Sequence, residues 1–294
     1  MRKWIPSKRL VRLMTSHQQT ATLPIIQSRT HFISQLFATP LNSLAGPSKS
    51  LCELMDIAQI LYAFVILHAG YLIQLSFRQP SSKVISTKTE SWLMWIVASP
   101  IGMVVARTIT FTIALHQAVV ALSLLGTMSK SDRILQSVCP TPQYLDPRLF
   151  TWSIPAIASL ALLYLGTYVR LQAYAQLGTN FTYRIAKPDQ LVTTGLYAYV
   201  RHPSYTGLLL VLLAMYSLFM RQRGLVSCWA PLVDKKMVTN DMHALLVPVI
   251  GFTCAIYMFM IRRVREEEVM MEKEFGKTWR EYKKGTKKFV PYVY

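Results

Sequence analysis

The chain has 294 residues, 52% of them hydrophobic and only 16% charged, with a mean hydropathy of +0.29. Soluble domains carry about 25% charged residues, so this composition excludes an ordinary soluble globular domain. The formal net charge of +18 comes without a nucleic-acid recognition motif. It reads instead as the basic loops of a membrane protein facing anionic headgroups, and no nucleic-acid partner is expected.

Residues 1–50 are basic and rich in Ser and Thr, with Arg2, Lys3, Lys8, Arg9 and Arg12 early and no acidic residue before Glu53. This is the composition of a mitochondrial transit peptide, or of a disordered arm held near anionic lipid. A first span is expected over about 51–75, and a basic loop with Arg78, Lys83 and Lys88 follows it. The next apolar stretch, about 92–128, exceeds one crossing and is interrupted by Pro100 and Arg107. Either one long tilted helix or two short spans would accommodate it. A polar, Pro-containing loop is read over 129–148, and a third span over about 149–169. Residues 170–201 are too polar to cross, and a short apolar helix is predicted over about 203–220. A last span is predicted over about 242–261, with a charged helix continuing out of the membrane from Arg262.

The expected fold is therefore an all-α, polytopic membrane bundle of five or six transmembrane helices. After Gly276 the tail holds Lys277, Arg280, Lys283, Lys284, Lys287 and Lys288 against Glu281 alone, which places it in the cytosol by the positive-inside rule. Five spans would then leave the basic N-terminus in the lumen, and six would not. The four cysteines, Cys52, Cys139, Cys228 and Cys254, are scattered and have no His at ligand spacing. No metal site is expected from them.

Two segments carry candidate chemistry. In His202-Pro203, Pro suits the first position of the apolar helix that follows, so His202 sits at a helix N-terminus, where backbone N–H groups favour an anion. The alternative is a plain cap with an interfacial His and Tyr. The second segment is 262–268, Arg-Arg-Val-Arg-Glu-Glu-Glu, in which Arg263 and Glu267 share a helix face. It is either a solvated charged face or a pocket wall of both signs, with Glu267 for an ammonium and Arg263 for a carboxylate.

Together these segments form a pattern. The stretch 191–207, containing Thr194-Gly195-Leu196-Tyr197 and Arg201-His202-Pro203-Ser204-Tyr205, resembles the cofactor signature of the isoprenylcysteine carboxyl methyltransferase family. The Glu run, then Phe275-Gly276, Trp279, Tyr282 and Pro291, resembles that family's C-terminal signature, and the resemblance covers about 180–294. It implies a membrane enzyme that transfers a methyl group from S-adenosyl-L-methionine to the C-terminal carboxylate of prenylated CaaX proteins, in the endoplasmic reticulum membrane with its site cytosolic. It divides the chain into an arm (1–50), transmembrane helices (51–177) and a catalytic region (178–294). His202, Pro203, Ser204 and Tyr205 would contact the cofactor. Tyr197, the backbone of Gln190, Leu191 and Val192, and also Asp189, would line its adenosine side. Glu267 would bind its amino group, and Arg263 would address the substrate carboxylate. Leu196 departs from the pattern, which commonly has Pro there. The region 180–189 is shorter than in animal members, and the polar contact expected near Ala186 is left unassigned. Rival readings are a phospholipid or small-molecule methyltransferase of the same architecture, a nicotinamide-dependent sterol-type reductase, and a non-catalytic membrane protein. The sequon Asn180-Phe181-Thr182 falls on the cytosolic side of this topology and is expected to stay unmodified.

Overall fold

The computed structural model describes residues 49–78, 99–125, 131–181, 188–221, 223–232 and 242–290. Met1–Ser48 is a separate unit outside the described residues, as are Lys83, Lys88 and Ala186. Among the described residues, six α-helices run in order: α1 (Lys49–Ser76), α2 (Pro100–Ser123), α3 (Ser131–Val138), α4 (Ile154–Leu177), α5 (Pro203–Phe219) and α6 (Met242–Gly285). Short 3-10 turns join several of them. The one β-type contact among the described residues is an isolated bridge between Val200 and Lys287.

Local chemistry sets the helix ends. The Ser99 side chain accepts from Gly102 N at 2.9 Å and Pro100 takes the first helical turn, so α2 starts there as a single helix. Pro100 therefore opens this helix, and the parts of the expected 92–128 stretch before Ser99 and after Leu125 lie outside the described residues. Ser153 caps α4 in the same way. Gly178, with φ +53°, ends α4 in the left-handed region that glycine tolerates. α4 thus runs two turns beyond the span expected to stop at 169. The polar loop expected over 129–148 contains α3.

Glu53–Ser76, Pro100–Ser123 and Pro147–Leu177 are long and apolar enough to cross a bilayer, and Pro203–Phe219 is a shorter apolar helix. A 24-residue helix such as α2 extends about 36 Å, more than a hydrocarbon core of about 30 Å. The outward positions are apolar: Phe64 is 69% exposed, Ile101 78% and Ile154 83%. A water-facing helix would carry charge there. The protein is an integral membrane helical protein.

Packing between the helices relies on small residues, as it must where lipid removes the hydrophobic drive. A Cβ on Gly207 of α5 would lie 2.7 Å from Gly166 O and 2.8 Å from Arg170 N. A Cβ on Gly166 of α4 would lie 2.9 Å from Gly207 O. α4 and α5 therefore meet backbone to backbone. Gly207→Ala is expected to cost about 1–3 kcal/mol by overpacking, read as earlier thermal inactivation of the detergent-solubilised protein.

Polar side chains tie the helix ends into two opposite faces. On one face Gln59 Nε2 donates to Ala121 O (2.9 Å) and Phe150 O (2.6 Å), and Trp152 Nε1 donates to Ala58 O at 2.8 Å. A disulfide joins Cys139 to Cys228 on this face, where Thr141 Oγ1 also donates to Ser227 O at 2.7 Å. Two of the four cysteines read as scattered are thus paired across 89 residues, a contact made by tertiary structure that spacing does not reveal. Cys254 is free and exposed. On the other face the end of α1, the last turns of α4 and the start of α5 converge.

Candidate active site

That convergence is built around Arg170, which is 2% exposed. Its Nε donates to Ser76 O at 2.6 Å, and one terminal nitrogen donates to Ser204 O (2.9 Å) and Ser204 Oγ (3.1 Å). The guanidinium also lies 5.0 Å over the Tyr174 ring, and Tyr174 OH donates to Ser76 O at 2.7 Å. An arginine this deep must have its hydrogen bonds met inside the protein. It fixes the first turn of α5 against α1 and α4. Sequence reading placed Arg170 at the start of a polar loop. The signal that it belongs to the helix was the apolar run Leu171, Ala173, Tyr174, Ala175 beyond it.

His202 occupies the N-cap position of α5 and Pro203 its first turn, as expected. The His202 ring makes no cap hydrogen bond. Tyr205 N turns back to His202 O at 3.1 Å, so that amide is not free for an anion. His202, Pro203 and Ser204 are buried and Tyr205 is half-buried. The segment is pinned from outside its own helix. Arg201 N donates to Lys287 O (2.8 Å), His202 N to Lys288 O (3.0 Å), and Thr206 Oγ1 to Phe289 O (2.8 Å).

α6 brings the second segment to this point. Its charged run splits into two faces. Arg262, Arg265 and Glu266 are exposed, whereas Arg263 is 4% and Glu268 8% exposed. The inward set is therefore not a solvated face. Arg263 Nε is 3.4 Å from Glu267 Oε1, and Tyr205 OH donates to the same oxygen at 2.5 Å. Glu267 Oε2 is 3.6 Å from His202 Nδ1. Arg201 Nε donates to Glu268 Oε1 at 3.0 Å, and the Arg201 guanidinium also donates to Lys283 O (3.0 Å) and Thr286 O. His202 Nε2 is 3.5 Å from Glu268 Oε1. That is a contact and not an aligned hydrogen bond, because buried Nε2 has no hydrogen-bond partner.

Burial pushes the Glu268 carboxyl up, but His202 and Arg201 outweigh it and hold the group down at about 2, against an ordinary 4.5. A depressed carboxyl adds stability that is fully present above its unfolded value and lost as pH falls towards its folded one. Wild-type protein is expected to lose stability between about pH 4.5 and 2. Glu268→Gln should show a shallower acid limb in thermal-unfolding midpoints.

The Gly-Leu-Tyr turn is a 3-10 turn, Gly195–Ala198. Gly195 has φ +63°, and a Cβ there would lie 2.6 Å from the Gln176 amide. Leu196 N donates to Gln176 Oε1 at 2.9 Å, a bond that the commoner Pro could not make. Tyr197 is 6% exposed, and its carbonyl accepts from Tyr282 OH at 2.7 Å. Burial first, then the Glu267 charge, push its phenol above the ordinary 10. Leu191 and Val192 are half-buried and Gln190 is exposed in the preceding loop. Asp189 is exposed, and its N–H donates to Asn180 Oδ1 at 2.9 Å. The structure thus brings Arg263, Glu267, His202 and Tyr205 into direct contact. It puts Tyr197 and Ser204 beside them, and leaves the 189–192 loop at the margin. Sequence reasoning missed Arg170 and Gln176, and gave no role to Arg201 or Glu268, which it placed within the two signatures. An open groove of about 740 Å³ along the outward face of α6, lined by Tyr257, Met258, Arg262 and Glu266, does not include this cluster. Among the described residues, no group of three His, Cys, Asp or Glu is placed to hold a metal ion.

The donor set has both signs in a buried place at a helix start. Glu267 in this set fits an ammonium, such as the one at the amino-acid end of S-adenosylmethionine, with Arg263 beside it for an anion.

Residues 157–240 match the model of the isoprenylcysteine carboxyl methyltransferase (ICMT) family. Similar proteins include the protein-S-isoprenylcysteine O-methyltransferases of Schizosaccharomyces pombe (30% identical over 148 residues, 49% of this chain and 52% of that protein) and Dictyostelium discoideum (27% over 155 residues, 51% and 55%). The Homo sapiens protein of that name is 28% identical over 147 residues, 49% of this chain and 43% of its own. The chain resembles this family, and it spans about half the length of these relatives.

Proposed function

We propose that the protein is an S-adenosylmethionine-dependent carboxyl methyltransferase acting on the C-terminal carboxylate of prenylated cysteine. The observation that carries the reading is the buried Arg263, held 3.4 Å from Glu267 beside Tyr205 and His202. When bound, S-adenosylmethionine supplies an electrophilic methyl group on a sulfonium. Glu267 holds its ammonium, with Tyr205 OH keeping the carboxylate oriented. His202 to Tyr205, fixed by Arg170 and by the 286–290 segment, form the wall beside it. The loop at Gln190, Leu191 and Val192, with Tyr197, lines the adenosine side.

Arg263 draws in the acceptor carboxylate and orients it, since a guanidinium pairs with a carboxylate through a planar fork. A carboxylate is already ionised at neutral pH, so no side chain has to remove a proton. The protein's work is alignment and exclusion of water from a weak nucleophile. A prenyl chain partitions into lipid, which suits a site at one end of a membrane-embedded helical bundle.

The reading extends to orientation. α1, α2, α4, α5 and the first part of α6 make five crossings with the site on one face. Lys277, Lys284 and Lys287, exposed on the tail, favour the cytosol for that face. The Cys139–Cys228 bond on the opposite face favours an oxidising compartment for the other. Both signals favour a cytosolic site, which is compatible with an endoplasmic reticulum membrane. In intact microsomes, both cysteines are expected to resist a maleimide-polyethylene glycol reagent until the membrane is opened and the bond reduced.

The deciding assay is methyl transfer from labelled S-adenosylmethionine in membranes, with a farnesylcysteine analogue and phospholipids offered in parallel. Labelled methyl ester from the prenylcysteine supports the reading. Label in phospholipid alone would overturn the substrate assignment, and no transfer at all would overturn the activity.

A further inference from the structure

His202 sits between two carboxylates from consecutive residues of α6. Glu267 Oε2 lies 3.6 Å from Nδ1 and Glu268 Oε1 lies 3.5 Å from Nε2. The two acids do different things. Glu267 faces Tyr205 and Arg263. Glu268 faces away from them, to Arg201 at 3.0 Å and to Lys283 Nζ at 3.5 Å. Arg201 in turn grips the backbone at Lys283 and Thr286. The ring is further boxed by Tyr205 (centroids 5.8 Å apart) and Phe289 (6.3 Å). Its backbone is held by Lys288 O, so rotation of the ring is the freedom that Glu268 is placed to remove.

We infer that Glu268, paired with Arg201, is a positioning residue that sets the His202 imidazole and thereby the S-adenosylmethionine site. The assignment rests on the methyltransferase reading above. A buried ion pair is weak evidence for stability, since desolvation offsets much of its attraction. What this pair provides is geometry. It locks the α5 cap, the exit of α6 and the 283–288 segment to one ring. Of the groups around Glu267, the one Glu268 is paired with is His202, so it acts through that ring.

The test is equilibrium binding of labelled S-adenosylmethionine to the purified full-length protein, with turnover measured at saturating cofactor. Glu268→Gln keeps the shape of the side chain and removes its charge. Its cofactor Kd is expected to rise about tenfold, the size of a coupling between contacting residues, with kcat within about threefold of wild type. In a His202→Asn background the same substitution should add nothing further, whereas a merely structural role would multiply the two losses. Arg201→Gln breaks the pair from the other side and should show the same non-additivity if Glu268→Gln folds poorly. Multiplying losses, or wild-type affinity in the Glu268→Gln protein, would overturn the inference while leaving the methyltransferase reading intact. Failure of the wild-type protein to bind S-adenosylmethionine at all would overturn that reading and, with it, this one.

Discussion

Arg263→Ala is expected to reduce methyl transfer to a prenylcysteine acceptor by about 10²–10³-fold, the effect of removing one buried charge-orienting donor at a reacting group. The structure refines what accompanies that loss. Arg263 lies 3.4 Å from Glu267 Oε1, so its removal also takes a cation from beside the carboxylate assigned to the cofactor's ammonium. Cofactor Kd should therefore shift by a few-fold, and the larger effect should fall on turnover. Arg263→Lys is expected to recover little. A point charge lacks the planar fork, and the site around the 4%-exposed side chain is built for a guanidinium. Single-turnover kinetics at saturating cofactor separate the two effects. Unchanged turnover in Arg263→Ala would remove the carboxylate-binding role.

Arg170→Leu is expected to be the most damaging change outside the contact cluster. The volume is roughly kept, but the Ser76 carbonyl and both oxygens of Ser204 lose a donor. Ser76 O keeps its bond from Tyr174 OH, and each hydrogen bond lost from a charged group costs about 1.5–3 kcal/mol. The first turn of α5 would lose its tie to α1 and α4 just where His202 is presented. We expect a thermal midpoint in detergent lowered by several degrees, and S-adenosylmethionine binding weakened by at least tenfold. Arg170→Lys should fare little better, because one ammonium cannot span Ser76 and Ser204 together. A variant with wild-type midpoint and wild-type binding would show that α5 is held by the Gly166–Gly207 contact alone.

Much of this architecture was legible in the sequence because lipid imposes a simple rule. Apolar stretches near 51–75, 92–128 and 203–220 had to hold helices, and within the described residues they do. Pro203 and the Arg263/Glu267 spacing announced the start of α5 and one face of α6. What stayed hidden was made by tertiary contact. Arg170 looked like a boundary because a charge normally ends a span, and only its bonds to Ser76 and Ser204 explain its burial. Glu268 was one acid among three until α6 turned it towards Arg201. Cys139 and Cys228 have no local pattern at all, since 89 residues separate them.

The backbone pairing of 199–202 with 286–288 has a consequence for biosynthesis. Arg201 N and His202 N depend on carbonyls of Lys287 and Lys288, which the ribosome adds after every helix described. When α5 enters the bilayer its cap is therefore incomplete, and the two signatures remain unjoined until α6 has inserted and the segment past Gly285 has folded back. Translation order itself thus delays assembly of the Arg201–His202 contacts until the last described residues have been made.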